Sequence, residues 1–310
     1  MPDPRTTWKG VFPAVTTQFR EDLTVDLDAT GRVIEALIAD GVSGLVMCGT
    51  VGENCALTGP EKAALMELAA GIARGRLPVI AGIAEYTAAF AIETARQAAR
   101  AGVDGLMVLP PMVYPAKPRE TLAHFRAVAS AGDLPVMIYN NPPAYRSDVT
   151  PAMLASLADV DTIVAVKESS GDTRRFVDLR NLTGGRFIPF CGLDDVVLEC
   201  AALGAVGWVS GMSNIFPREG EALFGLARAG RFAEAMALYD WFMPLLHLDA
   251  RPDLVQCIKL CEAIAGRGSE RTRPPRLALD GAERAEIEVL MARALATRPV
   301  LPGLEPARAA

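Results

Sequence analysis

Short runs of consecutive apolar residues recur along the chain, and stretches with helical spacing separate them. Eight runs read as strands: Val11–Phe19, Gly44–Thr50, Pro78–Ala84, Gly105–Pro111, Pro135–Pro142, Ile163–Ser169, Phe187–Asp194 and Gly207–Asn214. In most of them the apolar positions are adjacent instead of alternating, the pattern of parallel strands buried on both faces. The segments between carry helix signals. Thr58-Gly59-Pro60-Glu61 opens one helix with a capping box and an early proline, and Phe90–Arg100 forms another with Gly102 as its left-handed stop. A faint repeat joins Ala39–Leu45, Ala101–Leu106 and Leu203–Trp208, each a helix end, a tight turn and a strand start. Their first glycines, Gly41, Gly102 and Gly204, are 61 and 102 residues apart. At roughly 25–30 residues per βα unit, these turns precede strands two, four and eight.

Eight alternating units by about residue 220 predict an α/β chain of the (β/α)8 TIM-barrel type, with a doubly wound sheet as the alternative. From Arg218 onward the strand signal stops, and Glu219–Ala229, Arg231–Leu246, Leu254–Ala265 and Gly281–Thr297 predict helices. The expected organisation is a barrel over residues 1–220, then the last barrel helix and a short C-terminal helical extension over 221–310. The end from Pro299 is expected to fray.

Composition narrows the function. Hydrophobic residues make up 51% of the 310, enough for a large core, and 37 acidic against 31 basic residues leave a net charge of −6. That balance argues against nucleic-acid and anionic-membrane partners. The longest uncharged run, Cys200–Pro217, is broken by glycine, serine, asparagine and proline and does not read as a membrane span. Met1–Arg5 lacks the apolar core of an export signal, so a cytoplasmic location is expected. Cys48, Cys55, Cys191, Cys200, Cys257 and Cys261 form no C-x-x-C pair and read as buried free thiols. His124 and His247 have no metal-ligand neighbours, so no metal site is expected. G-x-S-x-G, G-x-G-x-x-G and Walker motifs are absent.

Lysine is the informative residue. The chain has five: Lys9, Lys62, Lys117, Lys167 and Lys259. Lys259 falls on an amphipathic helix and reads as structural. Lys167 ends the run Ile163-Val164-Ala165-Val166, at the mouth where barrel active sites form. Burial there favours the neutral amine that Schiff-base chemistry requires. The competing reading pairs Lys167 with a carboxylate such as Glu168. Two other strand ends stand out. Cys48-Gly49-Thr50-Val51-Gly52-Glu53-Asn54 could turn backbone N–H groups toward an anion, or could be an ordinary βα turn. Tyr139, in Tyr139-Asn140-Asn141-Pro142-Pro143, could be core or a proton donor and acceptor at the mouth.

Together these motifs resemble the dihydrodipicolinate synthase/N-acetylneuraminate lyase family of lysine-dependent barrels. The likeness runs from Gly10–Thr17 to Thr272–Pro275 and includes G-T-x-G-E at 49–53, Y-N-x-P at 139–142 and V-K-E-x-x-G at 166–171. It implies Lys167 as the imine-forming nucleophile, with no other cofactor, Tyr139 as general acid/base and Thr50 as a hydroxyl relay. It also implies a substrate pocket that draws on Gly49, Val51, Gly52, Gly192, Val209 and Ser210, and a homodimer or homotetramer acting on a small 2-oxo or imino acid.

Several positions depart from the lysine-pathway synthases. The arginine they carry two residues after the proline of Y-N-x-P is Ala144 here, with Arg146 nearby. Their tyrosine pair after strand four, which completes a relay across the subunit interface, is reduced to Tyr114, and their second threonine of G-T-T-G-E is Val51. Gly192–Glu199 and Leu248–Leu254 are similar to members associated with hydroxyproline breakdown. That resemblance implies a 1-pyrroline-4-hydroxy-2-carboxylate deaminase, in which Tyr139 assists loss of the ring hydroxyl. The alternatives are a 4-hydroxy-tetrahydrodipicolinate synthase, another pyruvate-type aldolase, and a ligand-binding barrel without catalysis.

Overall fold

A computed structural model of the protein describes residues 3–111 and 114–301. The eight apolar runs become eight parallel strands: β1 (Gly10–Pro13), β2 (Leu45–Met47), β3 (Val79–Ile83), β4 (Gly105–Val108), β5 (Val136–Asn140), β6 (Ile163–Glu168), β7 (Ile188–Cys191) and β8 (Gly207–Ser210). From β2 to β8 each pairs with the next in sequence, and β1 pairs with β8, in the order β1-β8-β7-β6-β5-β4-β3-β2. Val15 N–H donates to the Val46 carbonyl at 2.9 Å and Ala14 bridges to Val46, which closes the ring between β1 and β2. A doubly wound sheet has two open edges; this sheet is a barrel.

The connecting helices are α1 (Leu27–Ala39), α2 (Gly59–Ala73), α3 (Ala88–Ala101), α4 (Pro118–Gly132), α5 (Pro151–Ala155), α6 (Arg175–Thr183), α7 (Val197–Ala202) and α8 (Pro217–Arg228). Thr58 and Glu61 form the expected capping box at the start of α2, and Gly102 ends α3 with φ +81°. The repeated turns do precede β2, β4 and β8. Their second glycines leave room for aromatic rings inside the barrel. A Cβ on Gly44 would lie 2.1 Å from the Phe12 ring, and one on Gly207 would lie 2.1 Å from the Phe190 ring. Phe12 and Phe190 then meet edge to face, 5.3 Å between centroids.

The strands are shorter than the apolar runs. β1 stops at Pro13, because Thr16 and Gln18 turn out of the ladder toward the C-terminal part of the chain. Thr16 Oγ1 donates to Glu262 Oε2 at 2.8 Å, and Gln18 Nε2 donates to Thr16 Oγ1 at 2.8 Å. β8 stops at Ser210, and the following apolar residues form a single helical turn at Met212–Asn214. Beyond the barrel lie α9 (Phe232–Leu246), α10 (Leu254–Ile264) and α11 (Gly281–Ala296), as the helical periodicity predicts. Between α9 and α10 the turn His247–Ala250 packs on the turn Asp194–Val196 that follows β7. Among the described residues no helix is long and apolar enough to cross a membrane. Five cysteines are buried and unpaired, while Cys55 is exposed, contrary to its expected burial. The chain end past Leu301, expected to fray, lies outside the described residues.

Candidate active site

The C-terminal ends of the strands open into a cavity that gathers residues from seven strands or strand ends and from the C-terminal extension. Lys167 reaches it from β6. Strand alternation turns Lys167 inward and Glu168 outward. Glu168 accepts from Asn140 Nδ2 at 3.0 Å and from the Ser170 N–H at 2.7 Å, so the Lys167–Glu168 pair does not form. Lys167 is 6% exposed, and among the described residues it makes no ion pair within 4 Å. Its Nζ lies 3.7 Å from the centroid of the Tyr139 ring, the residue beside it in the β5–β6 register. Gly192 makes space for the lysine stem, since a Cβ there would sit 2.5 Å from Lys167 Cγ.

Thr50 and Val51 line the same cavity. Their N–H groups have no hydrogen-bond partner among the described residues, whereas those of Glu53 and Asn54 close the turn on Thr50 and Gly49 carbonyls. The turn is pinned from behind. Glu53, at φ 58°, pairs through Oε1 with Lys259 Nζ at 3.0 Å, both side chains fully buried. Lys259 Nζ also donates to the Thr17 carbonyl at 2.7 Å and to the Arg271 carbonyl. Lys259 is thus a strut between the extension and the loop, and burial lowers its pKa.

Tyr145, not anticipated from sequence, completes the wall. Its hydroxyl and Thr50 Oγ1 lie 2.5 Å apart, and its ring stacks edge to face on Tyr139 with centroids 5.6 Å apart. Burial and the neighbouring Tyr139 phenol push the Tyr145 pKa up. Asn141 Nδ2 donates to the Tyr139 hydroxyl at 3.1 Å. Thr50, Tyr145 and Tyr139 therefore stand in sequence around Lys167, all from one chain. The local signal is the turn Asn141-Pro142-Pro143-Ala144-Tyr145: Asn141 caps a short helix by accepting from the Ala144 N–H at 3.1 Å, and the two prolines stiffen it.

Of the residues expected at the site, Lys167, Tyr139, Thr50, Gly49, Val51, Gly192 and Val209 line the cavity, and four others do not. Gly52 lies beneath the loop, where a Cβ would be 2.8 Å from the Val15 carbonyl oxygen; its part is to let the loop pack. Ser210 alternates outward from Val209 and donates to Asp194 Oδ2 at 3.1 Å. Arg146 is exposed in the left-handed cap after Tyr145, and Tyr114 is 57% exposed away from the cavity. Met112 and Val113, beside Tyr114, lie outside the described residues. Ala144 does line the cavity, and among the described residues no arginine does. Asp249, also unanticipated, enters from the His247–Ala250 turn.

A buried amine beside a phenol, with unpaired backbone N–H groups on the same wall, suits imine chemistry on a carboxylated substrate. Comparison with known proteins agrees. The model of the dihydrodipicolinate synthetase family matches residues 7–294. The chain belongs to that family. It is 34% identical over 288 residues to the 4-hydroxy-tetrahydrodipicolinate synthase of Ruegeria pomeroyi, covering 93% of this chain and 99% of that one. The same-named enzyme of Acidiphilium cryptum is 35% identical over 284 residues, with 91% and 97% covered. Among solved structures, dihydrodipicolinate synthase from Aquifex aeolicus superposes with a TM-score of 0.88 at 28% identity, over 92% of this chain and 97% of that one. A prophage protein of the family from E. coli K12, in complex with pyruvate, gives 0.87 at 28% identity over 93% and 99%. The protein is a Schiff-base lyase of this family, which removes the reading as a barrel without catalysis.

Proposed function

We propose that the enzyme forms an imine between Lys167 and a small 2-oxo or cyclic imino acid bearing one carboxylate, and that its substrate is a hydroxylated 1-pyrroline-2-carboxylate, which it deaminates. The observation that carries this reading is Lys167 itself, a buried amine without a carboxylate partner, set against Tyr139. The free N–H groups of Thr50 and Val51 would hold the carboxylate, which places the adjacent carbon toward Nζ. Tyr139, its hydroxyl steadied by Asn141, would move protons at that carbon and its nitrogen, with Tyr145 and Thr50 passing them onward.

Attack of Lys167 on the ring imine carbon opens the ring and frees its nitrogen as an amine. The protonated Lys167 imine then accepts the electrons left when the neighbouring carbon loses its proton, and the ring hydroxyl departs as water. Tautomerisation makes an imine at the former ring nitrogen. Hydrolysis of both imines consumes two waters and releases ammonia and an oxo-acid semialdehyde. One water is taken up overall, and no oxidant is needed.

A single-carboxylate substrate is supported by Ala144, by the absence of arginine from the lining and by the carboxylate of Asp249. A second reading, 4-hydroxy-tetrahydrodipicolinate synthase, has the support of the relatives' names. For either reading we place the protein in the cytoplasm as a homodimer or homotetramer, on the family resemblance. Ammonia release from 1-pyrroline-4-hydroxy-2-carboxylate, assayed beside condensation of pyruvate with aspartate semialdehyde, decides between them. Deamination should be faster by kcat/KM, and Lys167→Ala should abolish it together with the borohydride-trapped adduct. Faster condensation makes the protein a synthase.

A further inference from the structure

Among the described residues Asp249 is the one acidic side chain lining the cavity, and it comes from outside the barrel, on the turn between α9 and α10. Gly211, after β8, makes room for it: a Cβ there would stand 2.4 Å from Asp249 Oδ1 and 2.6 Å from Ile258 Cδ1 of α10. Three groups around it are charged or titratable. Lys167 faces it from β6, and Asp194 and Asp195 face it from the turn after β7. Each of those two acids is engaged elsewhere. Asp194 accepts from Trp208 Nε1 and the Met212 N–H, both at 2.8 Å, and Asp195 accepts from His247 Nδ1 at 2.9 Å. The Asp194 backbone N–H is hydrogen-bonded to the Asp249 carboxyl, and no side-chain donor among the described residues is, which leaves acceptor capacity for whatever enters the cavity.

The other polar groups at the site have work assigned to them. The Thr50 and Val51 N–H groups suit the carboxylate, and Tyr139, Tyr145 and Thr50 suit proton movement at the imine. A substrate hydroxyl on the next carbon but one has Asp249 for a partner, and a second carboxylate would be repelled by it. We propose that Asp249 is a catalytic acid, which gives its proton to the hydroxyl that leaves the substrate and so releases it as water. The inference rests on the dehydrating, deaminating reading above. In the step the carbon–oxygen bond breaks, its electron pair leaves with oxygen, and the new carbon–carbon double bond takes the electrons stored next to the lysine imine. The carboxylate that remains regains a proton from solvent before the next turnover. Burial, opposed by Lys167, raises the Asp249 pKa to about 6, so part of the population holds the required proton near neutral pH.

Asp249→Asn keeps the shape and removes the acid. On 1-pyrroline-4-hydroxy-2-carboxylate its kcat should fall by about 10²–10⁴. With pyruvate, which has no hydroxyl to lose, borohydride should still trap an adduct at Lys167. The wild-type kcat should decline as pH rises through about 6, and the residual activity of the variant should lack that limb. An Asp249→Asn enzyme within threefold of wild-type kcat, with wild type active on the hydroxylated pyrroline, overturns the inference and leaves the deaminase reading intact. Parallel loss of pyruvate adduct makes Asp249 only a counter-charge for Lys167 and also overturns it. A wild type inert toward the hydroxylated pyrroline but active in condensation overturns both. Asp249→Ala, checked for native melting, guards against an effect peculiar to asparagine.

Discussion

Tyr145 and Thr50 share a hydrogen bond 2.5 Å long, and Tyr145 touches Tyr139 through its ring. Removing the Tyr145 hydroxyl leaves that ring contact in place, so Tyr145→Phe should fold and still form the lysine imine. Its kcat should fall by about 10²–10⁴ if the hydroxyl passes protons. Thr50→Val breaks the same link from the other side, so the double variant should be little worse than either single one. Fully additive losses would show that the two hydroxyls act separately. Lys167 and Tyr139 were legible in the sequence because each ends an apolar run at the barrel mouth. Tyr145 and Asp249 were not, because neither stands at a strand end. Tyr145 gains its position from the capped proline turn, and Asp249 from a turn whose path over the mouth depends on how three later helices pack. Ser210 misled in the opposite sense: it directly follows Val209, but strand alternation sends it outward to Asp194.

At the scale of elements, the loop after β2 is held by a buried ion pair as well as by its own turn hydrogen bonds. Glu53 Oε2 accepts from the Arg273 N–H at 2.9 Å while Oε1 takes Lys259, so one carboxylate ties the loop to α10 and to the segment before α11. Breaking a buried pair typically costs about 3–5 kcal/mol; here Arg276, 3.9 Å from Glu53 Oε2, still offsets part of the carboxylate's charge once Lys259 is removed. Lys259→Met should therefore lower the urea midpoint by a corresponding amount. Lys259→Met/Glu53→Leu should recover much of that stability while KM for the carboxylated substrate stays raised, because the loop loses its anchor. A double variant as unstable as the single would mean that the backbone carbonyls on Lys259, not the charge, carry the cost. Most of the barrel was readable from strand and helix periods, down to the turns before β2, β4 and β8. Strand ends were overrun by a few residues, since loops that pack under the extension are as apolar as the strands they leave. Thr16 and Gln18 are the clearest instance, taken as strand but spent on Glu262.

Across the whole molecule, burial of carboxyls sets how stability depends on pH. Glu262 is fully buried between Thr16 and Gln18, and burial, only partly offset by Thr16 and Lys259, raises its pKa to about 7. Burial likewise raises Asp194, Glu168 and Glu221, and Asp249 to about 6. A carboxyl whose pKa is higher folded than unfolded holds its proton more tightly in the native state. Its stabilisation is complete below the unfolded value, near 4.3, and is withdrawn as pH rises through the folded one. Glu61 acts in the opposite sense. Its hydrogen bond from Arg273 lowers its pKa to about 2, so its contribution is present above about pH 4.3 and lost as pH falls toward 2. Burial lowers the His124 pKa below 6.5, so His124 opposes this trend in the same window. The raised carboxyls outnumber it, so the native state should be most stable in mild acid and Tm should fall between pH 5 and pH 8. Glu262 alone accounts for a difference on the order of 3 kcal/mol across that range. Glu262→Gln retains an acceptor for Thr16 but cannot ionise, so its Tm should fall less steeply and should exceed that of wild type at pH 8. Melting curves of both proteins at pH 5, 6, 7 and 8 give the comparison, and equal slopes would mean that Glu262 keeps one charge state throughout.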